Sequence, residues 1–455
     1  MAKVLKPCPC QRVNSTSNVQ EFIPVQEVLH FQQNIPFYAK AAIKEVGGSD
    51  KLLTELFRQK MAKMGLEMKS EAVPDILYPM GFPTLDYLNG FVAHQMNEFG
   101  EMQEYYNVGI TDGSYVSFVG NTSVGKSTFV NQIAANIVRK FPQSQIFVDD
   151  VESGMTEERR RFLYKFTKDE YDNKVIVRNL GVSAENIYKR LKSIYDLKTK
   201  EQYQNYLYDT GRRDYSGNPI MKLVPTLYII DSIAALMPED MLEMDEMEGK
   251  SYGARTASVM SQLMQACIQL LKAANIILIG INHFSTDVQM GPFPKPPDVP
   301  WLKQGERIPK GRKATLLANN IFRMDNFKKL KLEEGYKIEG SVVKLSLVKS
   351  RSSGIKRPIP LVYEFVNGFD PWMSMLEYLR ENNLLYGAGA SLAIDPEKVF
   401  KFSLGTFKDK INNDIEFRKA FMATMGPILK SIPMAINESN NSDMMFNDIL
   451  DNLYN

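Results

Sequence analysis

The amino-acid sequence predicts an α/β protein with a mostly parallel central sheet. Between residues 115 and 375, short β-rich apolar runs alternate with amphipathic segments of helix length. Several runs are apolar on successive positions, as in strands that helices cover on both faces. A glycine-containing turn also joins the first run to a helix-forming segment. The predicted strands are 115–119, 146–148, 175–177, 226–230, 276–281 and 342–348.

Composition limits the functional classes. Lys and Arg number 55 and Asp and Glu number 53, a formal net charge of +2, so a uniformly basic nucleic-acid-binding surface is excluded. The 3 cysteines are too few for a disulfide framework. No apolar run approaches the roughly 20 residues that cross a bilayer, and the first residues lack the apolar segment of a signal peptide. We therefore expect a cytoplasmic protein with no membrane partner.

Breaks in the pattern predict four regions. Residues 1–78 are interrupted by proline and form an amino-terminal arm, and residues 79–375 form the α/β core. Residues 376–430 have helical patterns and form a small α-rich domain, which is followed by an acidic tail at 431–455 without Lys or Arg. The tyrosine-rich, charged segment 196–221 has the character of an insertion in the core.

A phosphate-binding loop follows the first predicted strand. Residues 120–127 match the pattern G-x-x-x-x-G-K-[ST] and precede a predicted helix at 127–140. In that arrangement, backbone N–H groups of the loop and helix surround a β-phosphate. We expect Lys126 to reach the β- and γ-phosphates of ATP and Ser127 to hold Mg²⁺. The predicted nucleotide-binding residues of the loop are Gly120, Asn121, Thr122, Ser123, Val124, Gly125, Lys126, Ser127 and Thr128.

Acidic residues follow two other predicted strands. Asp231 follows strand 226–230 and is the expected partner of Mg²⁺ and its water. Strand 146–148 runs into Asp149, Asp150 and Glu152, one of which would orient or deprotonate an attacking water. Sequence spacing does not choose among these three carboxylates.

Together these motifs resemble the RecA family of recombinases, most closely the phage UvsX-type proteins. The ATPase motifs occur in many NTPases, and their combination with the other matching segments is more specific. The resemblance covers roughly residues 80–385. The matching segments are Asp-Ser-Ile-Ala-Ala-Leu-Met-Pro at 231–238, Met-Ser-Gln at 260–262, Ile-Asn-His at 281–283, Phe-Pro at 141–142, Asp-x-Glu-x-Gly-x-Thr at 150–156 and Val-Lys-Ser-Arg at 348–351.

The resemblance implies a RecA-like P-loop ATPase core and an ATP-dependent strand-exchange recombinase. Such a protein forms a helical filament on single-stranded DNA and pairs it with homologous duplex DNA in recombination, repair and recombination-dependent replication. ATP and Mg²⁺ would be bound between protomers, and DNA would stimulate ATP hydrolysis. The arm at 1–78 would dock on a neighbouring protomer, and a mediator or a single-strand-binding protein would be a partner of the acidic tail. A phage-encoded protein would act in the host cytoplasm.

The resemblance also implies roles for individual residues. Glu152 would be the general base, and His283 would sense the γ-phosphate and report it to a DNA-binding loop. Lys349 and Arg351 would reach the neighbouring protomer's ATP and neutralise charge as arginine fingers do; the family has Lys at the second position. Arg159 replaces an aromatic residue that often stacks on adenine, and a guanidinium can stack as well.

Two DNA-binding loops match residues 239–255 and 284–314. The first loop is acidic, so contacts to DNA would come from its few cations, backbone N–H groups or an inserted Met. The second combines cations with two aromatic side chains, a composition typical of single-strand sites, and contains six prolines between residues 291 and 310. The predicted DNA-binding residues are Lys250, Arg255, Phe293, Lys295, Trp301, Lys303, Arg307, Lys310, Arg312 and Lys313.

Two other functions are compatible with the same motifs. One is a RecA-fold hexameric DNA helicase or another DNA-dependent ATP motor, which would form closed rings. The other is a nucleotide-gated binding scaffold, which would assemble without turnover. The single-core layout and the cation pair at 349 and 351 favour the recombinase over the helicase.

Overall fold

The structure is a computed structural model that describes residues 60, 75–96, 101–213, 218–242, 252–286, 296–297, 299–309, 312–330, 339–351, 357–389 and 391–439. The chain divides into two units, residues 1–73 and residues 74–455. The predicted arm at 1–78 lies almost entirely outside the described residues, and so do residues 440–455 of the predicted tail. The fold below is that of the second unit.

Twenty strands are present in the described residues. They are β1 Leu77–Tyr78, β2 Phe91–Met96, β3 Met102–Asn107, β4 Ile110–Thr111, β5 Tyr115–Gly120, β6 Ile146–Asp150, β7 Val175–Arg178, β8 Leu207–Arg213, β9 Pro219–Leu223, β10 Thr226–Asp231, β11 Ile276–His283, β12 Ser285–Thr286, β13 Glu306–Arg307, β14 Asn320–Lys329, β15 Gly340–Lys349, β16 Ile359–Glu364, β17 Gly368–Asp370, β18 Tyr386–Ala388, β19 Ser391–Ala393 and β20 Lys401–Phe402.

The helices of the described residues mostly connect these strands. They are α1 Pro83–Leu88, α2 Lys126–Val138, α3 Glu157–Tyr164, α4 Lys168–Lys174, α5 Ala184–Asp196, α6 Glu239–Leu242, α7 Tyr252–Ala274, α8 Arg312–Leu317, α9 Pro371–Glu381, α10 Leu404–Asn413 and α11 Ile415–Ser439, with a π-helix at Leu197–Glu201 and a 3₁₀-helix at Tyr203–Tyr206.

Nine strands form the central sheet in the order β17-β16-β15-β14-β5-β11-β10-β6-β7. The six strands from β14 to β7 are parallel, and β15, β16 and β17 extend the sheet with antiparallel pairs. The prediction of an α/β protein with a mostly parallel sheet is confirmed, and this sheet is compatible with a P-loop NTPase core. Ligand sites in such sheets lie at the carboxyl ends of the parallel strands.

Apolar side chains fill both faces of the sheet. Along β5, Val116 and Phe118 belong to one core cluster, while Tyr115 and Val119 belong to the other. Helix α2 contributes Phe129 to the first cluster, and its ring contacts Phe118 with a centroid separation of 5.8 Å. Burial on both faces explains why these strands are apolar on successive positions.

Strand β14 was not predicted from the sequence. Its first five residues are buried, but they include Arg323, and Asp325 follows on the same strand face. These two charged residues interrupt the apolar run by which a buried strand is predicted. They are tolerated in the sheet because they pair with each other and with Lys303 and Glu306 of the second loop. The run at 342–348 is a strand as predicted, although β15 is antiparallel to β14.

The regions outside the sheet are small additions. The predicted insertion 196–221 contains the π-helix, the 3₁₀-helix and most of a hairpin formed by β8 and β9. Three short strands and helices α10 and α11 follow α9, and α11 continues to Ser439, past the predicted start of the tail at 431.

In the described part of the chain, no helix is both long and apolar enough to cross a membrane.

Candidate functional site

The glycine-containing loop connects β5 to α2 at the carboxyl edge of the parallel strands. Gly125 caps α2 with a φ of +83°, and a Cβ there would lie 2.9 Å from the ring of Phe369. At Gly120 a Cβ would lie 2.4 Å from the carbonyl oxygen of Met324. Both positions therefore require glycine for close packing. The backbone N–H groups at the start of α2 are left free for an anion.

The other loop residues divide by exposure. The side chains of Asn121, Thr122 and Ser123 are exposed, whereas Val124 and Thr128 are buried. The loop thus offers backbone and polar groups outward and anchors itself inward, as a phosphate-binding loop requires.

Lys126 is buried beneath this loop. Its Nζ donates to the carbonyl oxygens of Gly120 at 3.0 Å and Asn121 at 2.6 Å. Burial lowers the pKa of Lys126 from 10.5 to about 8, while the charges of Asp231 and Glu152 act in the opposite direction. Phosphate oxygens near Nζ would favour the charged ammonium, so this environment fits an anionic ligand.

Asp231 ends β10 beside the loop. Burial raises its pKa to about 6, and the charges of Asp150 and Glu152 add to the rise, whereas a hydrogen bond from Ser127 lowers it. Oxygen ligands, clustered negative charge and a serine hydroxyl suit Mg²⁺, which needs only one or two protein ligands beside water and phosphate. Ser127 and Asp231 are thus the residues that would hold the ion; among the described residues, no group of three or more His, Cys, Asp or Glu could do so.

The structure separates the three carboxylates that follow β6. Asp149 pairs with Arg190 at 2.7 Å on one face of the sheet, and Asp150 pairs with Arg160 at 2.9 Å on the other. Both of these carboxylates are buried and committed to a guanidinium. Glu152 lies past the strand end, its side chain 43% exposed. Of the three, Glu152 is the carboxylate available to a water in the site.

Glu152 contacts the end of β11. Its Oε1 accepts a hydrogen bond from the hydroxyl of Ser232 and lies 3.2 Å from Nε2 of His283. Burial and the nearby Lys126 charge lower the pKa of His283, so the imidazole is neutral at pH 7. A neutral ring donates to this carboxylate when it carries its proton on Nε2. The predicted base and the predicted sensor are therefore in direct contact.

Lys349 and Arg351 lie at the other edge of the sheet. Lys349 of β15 pairs with Ile321 of β14. The residue of β14 that pairs with Gly120 of the phosphate loop is Met324, three positions further along that strand. Because β15 is antiparallel, its end lies about 10 Å back along the strands from the phosphate loop. Nζ of Lys349 donates to the carbonyl oxygen of Leu316, burial lowers its pKa, and Arg351 is exposed. These cations do not reach the loop of their own chain.

Arg159 lies at the exposed start of α3. Its guanidinium donates to the carbonyl oxygens of Phe365 and Val366 and lies 5.6 Å from the ring centroid of Phe162. The predicted role in stacking on a base is not tested by these contacts, which tie α3 to the turn between β16 and β17.

The predicted DNA-binding residues are only partly described. Lys250, Phe293, Lys295 and Lys310 lie outside the described residues, as do the side chains of Arg312 and Lys313. Arg255 is exposed and pairs with Asp240, Lys303 pairs with Asp325 at 2.9 Å, and Nε of Arg307 donates to Ser285 at 3.1 Å. Trp301 is partly buried against the second core cluster.

The short strands β12 and β13 pair at the base of the second loop, and we call this pair the neck. Arg323 of β14 contacts it through Glu306 and Phe284. The Arg323 guanidinium forms two bonds of 2.7 and 2.8 Å with Glu306 and lies 4.6 Å from the ring centroid of Phe284. It also donates to Asp325 and to the carbonyl of Trp301.

Arg323 was missed in the sequence analysis. The signal was available in the spacing of Arg323 and Asp325, which puts both side chains on one strand face. Since Phe284 directly follows His283, this network connects the neck of the loop to the phosphate site.

Comparisons with known proteins identify limited similarity. No protein-family model matches the chain. The energy-coupling factor transporter ATP-binding protein EcfA2 of Clostridium perfringens (strain 13 / Type A) is 29% identical over 173 residues, which cover 32% of this chain. The matched part spans 59% of the length of that relative.

Proposed function

We propose that the protein is a DNA-dependent ATPase of the RecA/UvsX type that forms filaments on single-stranded DNA and carries out strand exchange. The phosphate loop, Lys126, Asp231 and Glu152 support the ATPase part of this proposal, and similarity to a relative named for ATP binding agrees with it. The DNA part rests on the resemblance of the sequence and on the position of the second loop.

The contact between Glu152 and His283 carries the proposal. It joins Glu152, which of the three carboxylates after β6 is the one available to a water, to the strand end from which the cation-rich loop departs. A γ-phosphate held near Lys126 would interact with both side chains, so nucleotide occupancy and loop position would influence each other. This arrangement suits an ATPase whose turnover depends on a ligand bound by that loop.

The residues have complementary roles in hydrolysis. Glu152 accepts the proton of the attacking water, and the Nε2–H of His283 holds Oε1, which leaves Oε2 facing the reaction. Lys126 and the backbone N–H groups of α2 stabilise the negative charge that develops on the phosphates. Mg²⁺ bound by Ser127 and Asp231 would neutralise phosphate charge.

Lys349 and Arg351 would complete the site of a neighbouring copy. Because they lie at the opposite sheet edge from their own phosphate loop, any contact with a nucleotide requires a head-to-tail interface. Such an interface repeats into a ring or a helical filament. Exposed Arg351 has the reach and the fixed charge for this role.

Measuring ATP hydrolysis with and without single-stranded DNA, together with imaging of the same mixtures, tests the proposal. We expect DNA to stimulate hydrolysis and to produce long filaments that exchange strands with a homologous duplex. Stimulation with closed rings that unwind forks would support the alternative DNA helicase. Filaments without turnover would support a binding scaffold, and absence of both would refute a DNA function.

A mixing experiment tests whether the cations act between protomers. Glu152→Gln and Arg351→Ala variants should each be nearly inactive alone. An equal mixture should recover about a quarter of the wild-type rate, because random head-to-tail pairing makes about one interface in four intact. Glu152→Gln mixed with itself is the matched control. A mixture as inactive as either variant would contradict the shared site.

A further inference from the structure

A pocket lies at the carboxyl end of α2, away from the phosphate loop. It has a volume of about 180 Å³ and is bordered by Tyr78, Tyr105, Lys140, Tyr208 and Arg212. Its walls come from β1, β3, the hairpin β8–β9 and the residues after α2. Tyr105 and Lys140 are exposed, so a solute can enter past them.

Arg212 is the unusual member of this pocket. It is only 6% exposed, and its guanidinium lies 4.1 Å from the ring centroid of Tyr105. Nη2 donates to Oδ1 of Asn107 at 2.9 Å, but Nη1 is buried and has no hydrogen-bond partner within the described structure. A buried charged donor without an acceptor is costly, so an acceptor in the pocket that the guanidinium turned to meet would relieve a substantial penalty.

The acidic residues near the pocket are engaged elsewhere. Asp112 pairs with Lys222 at 2.6 Å and with Lys272 at 2.8 Å. Asp209 pairs with Arg213 at 3.0 Å on the hairpin. Among the contacts of the described residues, Arg212 therefore has a neutral amide and an aromatic ring as partners and no carboxylate. Arg212 therefore gives the pocket a positive charge, and Lys140 at its mouth, which also interacts with the buried Asp86, is a second cation.

The size of the pocket restricts its ligand. Its volume of about 180 Å³ exceeds the ~30 Å³ share of a single water and is below the ~300 Å³ at which small-molecule sites begin. A nucleotide is too large, whereas an oxyanion with one or two waters fits. The guanidinium fork matches the paired oxygens of phosphate or carboxylate.

We propose that this pocket binds a small oxyanion, inorganic phosphate or a carboxylate, through Arg212. Bound there, the anion would connect the hairpin β8–β9 to β3 and the end of α2, stabilising the insertion on the core. The site is separate from the phosphate loop, since the 13 residues of α2 place about 20 Å between them.

Thermal unfolding of the full chain in potassium phosphate, potassium acetate or potassium chloride at equal ionic strength tests the proposal. All variants carry Lys126→Ala, so that phosphate binding at the loop does not contribute. At a phosphate concentration about a hundredfold above Kd, we expect the midpoint to rise by roughly 3 °C relative to chloride. An equal rise in acetate would identify a carboxylate ligand, and a larger rise in phosphate a phosphate ligand.

Arg212→Met should abolish the anion-dependent rise, whereas Arg213→Met, its neighbour on the hairpin, should retain it. If Arg212→Met does not fold, Lys140→Met provides the same test, because this exposed residue at the mouth should weaken anion affinity severalfold without affecting the core. An identical rise with and without Arg212, or no rise in either anion, would mean that water alone fills the pocket and would overturn the proposal.

Discussion

The two ends of helix α2 carry two proposed anion sites of opposite kinds. At the amino end, backbone N–H groups and Lys126 face the phosphate loop, and one continuous segment supplies nearly every group. At the carboxyl end, Lys140 borders a pocket whose main donor, Arg212, comes from a distant hairpin. The helix dipole favours an anion at the first end and opposes one at the second. At the carboxyl end, charged side chains must therefore supply the attraction for an anion that backbone N–H groups supply at the amino end.

The comparison teaches how a buried cation is accommodated. Lys126 donates to two backbone carbonyls, and burial lowers its pKa to about 8, so its positive charge is less favourable than in water until a phosphate compensates it. Arg212 is accommodated differently, because its partners are an aromatic ring and a side-chain amide instead of two backbone carbonyls. Its stack on Tyr105 and its bond to Asn107 are the compensation that the described residues supply.

The largest expected effect comes from removing the charge at the amino end. Lys126→Ala should weaken ATP binding by on the order of a hundredfold or more and prevent filament formation, because the phosphates lose their buried counter-charge. Fluorescent nucleotide titration and imaging measure this. Lys140→Ala, just beyond the other end of the helix, is the matched control and should bind ATP normally. Equal loss in both variants would break the distinction between the ends.

The Glu152→Gln variant should separate ATP binding from ATP hydrolysis at the amino-end site. The amide cannot take a proton from water, so hydrolysis should slow by about 10²- to 10⁴-fold while ATP and DNA still bind. Single-turnover hydrolysis and equilibrium binding report the two steps. Glu157→Gln, an exposed acid on α3, should behave as wild type. Near-normal turnover in Glu152→Gln would require a different base.

Arg323→Met tests whether the neck of the second loop belongs to the amino-end site. Loss of its bonds to Glu306 and Asp325 should loosen the neck and weaken DNA affinity by roughly 30-fold, if about half of the ~4 kcal/mol cost of breaking a buried ion pair on one side is lost from DNA binding. Hydrolysis without DNA should change little. Salt-dependent DNA binding is the measurement, with exposed Lys329→Met on the same strand as control. Unchanged DNA affinity in Arg323→Met would show that the neck does not contribute to DNA binding.

The smallest expected effect is a pH dependence confined to the amino end. The pKa of Lys126 is lowered to about 8, so the charged form that holds phosphate is present below pH 8 and is lost above it. If bound phosphate keeps the ammonium charged, nucleotide affinity should fall about tenfold between pH 7 and 9. Anion binding through Arg212 should not follow this profile. A flat nucleotide profile would contradict the lowered pKa.

Sequence patterns predicted most of the parallel sheet and the phosphate loop because each pattern depends only on residues that are neighbours in the chain. Strands buried on both faces are apolar on successive positions, and the loop needs glycine at two positions. Strand β14 escaped prediction because its charges, Arg323 and Asp325, are neutralised by partners distant in sequence. Spacing also left Asp149, Asp150 and Glu152 equivalent, and only their packing against Arg190 and Arg160 separates them.

The sequence by itself determined the α/β class and the phosphate loop, and it contained the residues that we propose as base, metal ligands and sensor. Tertiary structure alone decided which carboxylate is not paired with a guanidinium, that Glu152 contacts His283, and that Lys349 and Arg351 lie at the edge away from their own loop. It also decided that Arg212 is buried beside Tyr105. Local patterns follow from backbone geometry, whereas pairing and burial of charge depend on which distant segments the fold brings together.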